Sequence, residues 1–138
     1  MVDRDIILEK SAIIQRCLKR IQEVTGLSAK SLDNIDVQDI FVLNLQRAAQ
    51  ASIDMAAHII AYEGFGLPGS LREHFNILVQ KNIIPRELGE KMNAMVGFRN
   101  IAVHEYQSLD QKILKSILKN NLKDIETYYK TILDVYND

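Results

Sequence analysis

A chain of 138 residues, 47% apolar and 25% charged, has the composition of one globular domain long enough to bury a core. A net charge of −1 excludes a protein that coats nucleic acid by bulk electrostatics, though not a local phosphate site. The lone Cys17 excludes an internal disulfide and suits a reducing cytoplasm, and no apolar run nears the roughly 20 residues of a membrane span.

The chain opens on a charged helix start rather than a signal peptide. From Asp3 to about Val24, Ile6, Ile7, Ile13, Ile14, Leu18 and Ile21 recur at helical spacing, and Thr25-Gly26 supplies the stop. A polar stretch, 31–36, holds cap candidates and leads into a long helix from about Asp36 to Glu63, roughly 40 Å at 1.5 Å per residue. The Gly- and Pro-rich run 64–69 breaks it. Ser70 and Glu73 form a capping-box pattern for a short helix that ends near Asn82. Pro85 suits the first turn of the next helix, which is expected to reach about Tyr106. A last helical region runs from Gln111 to about Tyr136, with a break expected near Asn120-Asn121. No strand pattern, repeat or linker competes. The expected fold is all-α: residues 1–138 form a single antiparallel up-and-down bundle of four main helices plus a short one.

The stretch Gly97-Phe98-Arg99-Asn100-Ile101-Ala102-Val103-His104-Glu105-Tyr106 carries the chemistry. With Arg99 as origin on a regular helix, Asn100 falls near about 100°, Val103 near about 40°, His104 near about 140° and Tyr106 near about 340°. The polar side chains therefore share one broad arc. RNA phosphodiester cleavage without a metal needs a base for the 2′-OH proton, an acid for the leaving 5′-oxygen and a cation for the phosphoryl oxygens. His104 suits either proton-transfer role, Arg99 suits the clamp, and Asn100 can orient His104 or the phosphate. One imidazole does not easily fill both roles at once, which makes a homodimer with two His104 residues at a shared cleft attractive. An Arg and a His at this spacing also occur by chance on many helices, so the spacing alone leaves a merely structural His open.

The order Arg, four residues, His, one residue, Tyr resembles the signature of the HEPN nuclease superfamily. Within it, Phe98-Arg99-Asn100 and Val103-His104-Glu105-Tyr106 are similar to the form found in HepT, the toxin of HepT–MntA toxin–antitoxin pairs. The likeness extends over most of the chain. It implies a metal-independent endoribonuclease that acts through Arg99 and His104 and leaves a 2′,3′-cyclic phosphate and a 5′-hydroxyl. It also implies a partner, an MntA-like nucleotidyltransferase, which neutralises the toxin by transferring AMP to Tyr106. Tyr128, Tyr129 and Tyr136 are the next acceptors to consider. The other class open to the chain is a non-catalytic helical module that binds a nucleotide, RNA or a partner protein through the same cleft.

Gln46, Gln50, Asp54 and His58 form a second polar row at i+4 intervals on the long helix, among small residues that permit close helix approach. The row is either a solvated face or a set of supporting hydrogen bonds for the Arg99–His104 helix. The second reading is favoured by its similarity to the matching HepT helix. His74 reads as surface. Lys112, Lys115, Lys119 and Lys123 are expected on one face, as a solvated row or an RNA track. Three dispersed His and one Cys give no zinc spacing, no phosphate loop is present, and no cofactor is expected.

Overall fold

The computed structural model describes residues 3–137. Helix α1 (Arg4–Thr25) starts on Asp3, whose carboxylate accepts from the Asp5 N–H at 2.9 Å, and stops at Gly26 in the left-handed region at φ 59°. A 3₁₀ turn, Ala29–Asp33, leads to Asn34, whose side chain caps α2 (Ile35–Glu63). This 29-residue helix is the spine: Phe41, Leu45, Ala48, Ser52, Met55 and Ile59 are buried along it. Its small residues let α1 lie close, so they serve packing within the chain.

Gly64 ends α2 in the left-handed region. Helix α3 (Leu71–Gln80) follows, capped by Ser70, which accepts from the Glu73 N–H. The reciprocal half of the capping box is displaced by one residue: Glu73 accepts from the N–H of Gly69 at 2.8 Å. Pro85 is the residue before α4 (Arg86–His104) rather than its first helical residue, at ψ 153°. The final region is two helices, α5 (Gln111–Asn120) and α6 (Leu122–Val135), parted at Asn121.

Helices α1, α2, α4 and the α5–α6 pair make the four-part bundle, with α3 packed against α2 and α4. One continuous core joins them. Tyr128 of α6 sits at its centre, with its ring edge-on to Phe75 and its hydroxyl donating to the Ser52 carbonyl at 2.8 Å. The main departure from expectation lies at the end of α4. The helix stops at His104, Glu105 turns out at φ −142°, and Tyr106–Ser108 form a separate 3₁₀ turn. Leu109 packs on the core and Asp110 caps α5, accepting from the Lys112 N–H at 2.8 Å, so the chain must turn before the regular helix can carry Tyr106.

Candidate active site

Arg99, Asn100 and His104 occupy the last two turns of α4, whose other face buries Met95, Phe98 and Ala102. Helix α4 is regular through His104, so the arc expected for these three holds. Asn100 engages Arg99 rather than His104: its Oδ1 accepts from Arg99 Nη1 at 3.1 Å. That contact fixes the plane of the guanidinium. Arg99 Nε is buried and has no partner among the described residues, leaving a directed cationic donor unused. His104 is exposed, with no described side-chain hydrogen bond.

A second cation overhangs this face. The guanidinium of Arg72, on α3, lies over Gly97, where a Cβ would come within 3.1 Å of Nη2. Gly97 shares its side of α4 with Asn100 and His104, at about 160° on the same wheel. Nothing in the local sequence links residues 72 and 97, so Arg72 was not legible as part of the site.

Tyr106 does not lie on the azimuth of Arg99, because it has left the helix. Its hydroxyl donates instead to the Asp39 carboxylate on α2. Burial and the bond to Asp39 push the phenol above its ordinary range, and a hydrogen bond from Gln38 pulls it down. Tyr106 remains 37% exposed. Tyr128 and Tyr129 are buried, and the Tyr136 hydroxyl is buried without a partner among the described residues.

The polar row on α2 has its described contacts elsewhere. Gln50 Nε2 donates to Asp54 at 2.9 Å, and Asp54 pairs with Lys10 of α1 at 3.7 Å. His58 Nε2 accepts from the Asp3 N–H at 3.1 Å, and its ring lies 4.6 Å from that of Tyr62. Gln46 is half-buried with no described side-chain bond. The row thus ties α2 to the start of α1, and among the described residues no bond joins it to α4. The expectation that Asp54 and His58 support Arg99 and His104 finds no described bond; their described partners are Gln50 of α2, Lys10 of α1 and the Asp3 N–H.

The lysine row is also divided. Lys115 pairs with Asp33 at 2.6 Å, and the break at Asn121 puts Lys123 on α6. His74 Nδ1 lies 2.9 Å from the Ser70 carbonyl. Among the described residues, no three His, Cys, Asp or Glu side chains cluster as a metal site. No described helix is long and apolar enough to cross a membrane. An apolar hollow between α4 and α5, with Phe98, Ile101, Leu109 and Ile113 in its wall, carries none of the titratable groups of the site.

A family model described as ribonuclease HepT-like matches residues 14–132. The mRNA nuclease HepT of Shewanella oneidensis is 42% identical over 128 residues, which cover 93% of this chain and 96% of that protein. A crystal structure of a toxin–antitoxin with AMP-PNP superposes at a TM-score of 0.89 with 41% identity, covering 94% of this chain and 98% of that one. The tri-AMPylated HEPN toxin of Shewanella oneidensis, in complex with its MNT antitoxin, superposes at 0.88 with 42% identity and the same coverage.

Proposed function

The chain belongs to the HepT-like ribonuclease family, and we propose that it is a metal-independent endoribonuclease, the toxin of a toxin–antitoxin pair. The observation that carries this reading is the pairing at the end of α4 of an Arg99 guanidinium with a buried, unpartnered Nε and an exposed His104. The guanidinium binds the non-bridging oxygens of the scissile phosphate, with Asn100 holding its plane. Its positive charge offsets the charge that builds on the phosphoryl group, the task a metal performs in other nucleases. His104 transfers a proton, from the 2′-OH or to the leaving 5′-oxygen. The ribose oxygen attacks its own phosphate, and the products are a 2′,3′-cyclic phosphate and a 5′-hydroxyl.

The second proton-transfer role falls to His104 of a second copy. Ile101 and Val103, 42% and 40% exposed beside His104, give a homodimer apolar surface to bury at the cleft. Tyr106 is the acceptor of AMP from an MntA-like nucleotidyltransferase antitoxin. The AMP-bearing state of the Shewanella oneidensis toxin supports this reading, as does the partial exposure of Tyr106 two residues beyond His104. The added phosphodiester pairs with the guanidinium meant for RNA, so modification silences the enzyme by filling its cleft. The reading places the protein in the cytoplasm, consistent with a buried, unpaired Cys17 whose thiol burial pushes up.

The test is cleavage of RNA by the purified protein in excess EDTA, with the new ends mapped. The reading expects undiminished cleavage and cyclic-phosphate ends. Cleavage abolished by the chelator would refute the metal-free mechanism.

A further inference from the structure

Tyr106 is held by a side chain from α2, 67 residues away in the sequence. Its hydroxyl donates to the Asp39 carboxylate, so the phenol proton already has an acceptor in place. Next to Asp39 on α2, Gln38 Oε1 accepts from Gln111 Nε2 at 3.5 Å, and that amide also donates to the Leu32 carbonyl at 2.8 Å, which ties this end of α2 to the start of α5. Asp39 and Tyr106 are both exposed, so the arrangement contributes little to the core. Tyr62, 53% exposed, has its ring tilted against that of His58 and has no carboxylate partner among the described residues.

We infer that Asp39 is the general base for adenylylation of Tyr106. The inference rests on the reading of Tyr106 as the AMP acceptor. Tyr106 Oη attacks the α-phosphorus of ATP bound by the nucleotidyltransferase partner. The Oη–P bond forms as the bond from that phosphorus to the β-phosphate's bridging oxygen breaks. Pyrophosphate leaves with the bonding electrons, and the phenol proton passes to the Asp39 carboxylate. A phenol of ordinary pKa near 10 is a weak nucleophile at neutral pH unless its proton leaves as the bond is made. The toxin thereby carries part of the machinery that silences it. Among the other charged groups on the packed elements, Lys115 of α5 is already paired with Asp33, and Glu105 adjoins Tyr106 in the chain.

The experiment incubates the full chain with its nucleotidyltransferase partner and ATP across about two pH units above neutrality and follows intact mass. The wild type should gain AMP at a rate nearly independent of pH. Asp39→Asn should be slower by about 10²-fold at neutral pH, at the low end of what a positioned base contributes. Its rate should climb about tenfold per pH unit as hydroxide takes over, and Asp39→Glu should restore most of the rate. Equal melting temperatures exclude a folding defect in any variant, and a variant that melts lower is replaced by the Asp39→Glu comparison. Asp39→Asn modified at the wild-type rate and with the wild-type profile overturns the inference. AMP incorporation that survives Tyr106→Phe overturns the acceptor reading instead, whatever Asp39 does.

Discussion

Two polar rows run along this bundle, and they have opposite fates. On α2, Asp54 and His58 are engaged by neighbours, Asp54 by Gln50 and Lys10 and His58 by the Asp3 N–H and the Tyr62 ring, although the Gln50 Oε1 is buried without a partner among the described residues. On α4, Arg99 keeps an unpartnered Nε, and His104 points into solvent with no described bond. A polar side chain whose hydrogen bonds are filled within the fold holds helices together. One that is exposed at the end of a helix with no bond filled, as His104 is, is available to a ligand. The difference separates structure from chemistry where residue type alone does not, since each row holds a histidine.

The comparison is broken most severely at Arg99. Arg99→Ala should lower RNA cleavage by at least about 10²–10³-fold, the usual cost of removing one group that stabilises transition-state charge. Circular dichroism should remain that of the wild type, because Arg99 is only half-buried and its one described side-chain hydrogen bond is to the exposed Asn100 beside it. A folded Arg99→Ala protein with full activity would remove Arg99 from the mechanism. Next in size is the buried counterpart. Tyr128→Phe deletes a hydroxyl from the centre of the core and its bond to the Ser52 carbonyl, and should cost about 1–2 kcal/mol in denaturant unfolding while leaving cleavage intact. Smaller still is Asp54→Ala, which removes a half-exposed pair with Lys10 and a bond from Gln50. It should cost no more than about 1 kcal/mol, and it should reach RNA cleavage not at all. Loss of cleavage in Asp54→Ala would mean that the α2 row serves α4 after all.

How much of this was legible beforehand depends on how local each feature is. The ends of α1 and α2, the short capped α3 and the break at Asn121 are set by nearby residues, Gly26, Gly64, Ser70 and Asn121 itself, and the sequence pattern places them within a residue or two. The end of α4 is not local. Leu109 must reach the core and Asp110 must cap α5, so the helix yields at Glu105 although nothing at that position forbids it. The expected azimuth of Tyr106, which assumed a regular helix as far as that residue, fails for that reason. The partners of the polar groups were hidden for the same cause. The bonds from Tyr106 to Asp39, from His58 to Asp3 and from Lys115 to Asp33 join residues 55 to 82 positions apart. A helical wheel assigns a residue to a face but does not say which helix that face will meet. The small residues of α2 show the same limit: they do permit close approach, but the helix that approaches is α1.

The most direct test sets the two histidines against each other in one assay. His104→Ala and His58→Ala are each measured for RNA cleavage and for thermal melting. The account predicts that His104→Ala loses about 10²-fold or more of its cleavage at an unchanged melting temperature, because only a proton-transfer group has gone. It predicts that His58→Ala keeps its cleavage and melts a few degrees lower, because the bond tying α2 to the start of α1 and a ring contact within α2 have gone. His104→Ala that cleaves like the wild type, or His58→Ala that is equally inactive while melting unchanged, would contradict it.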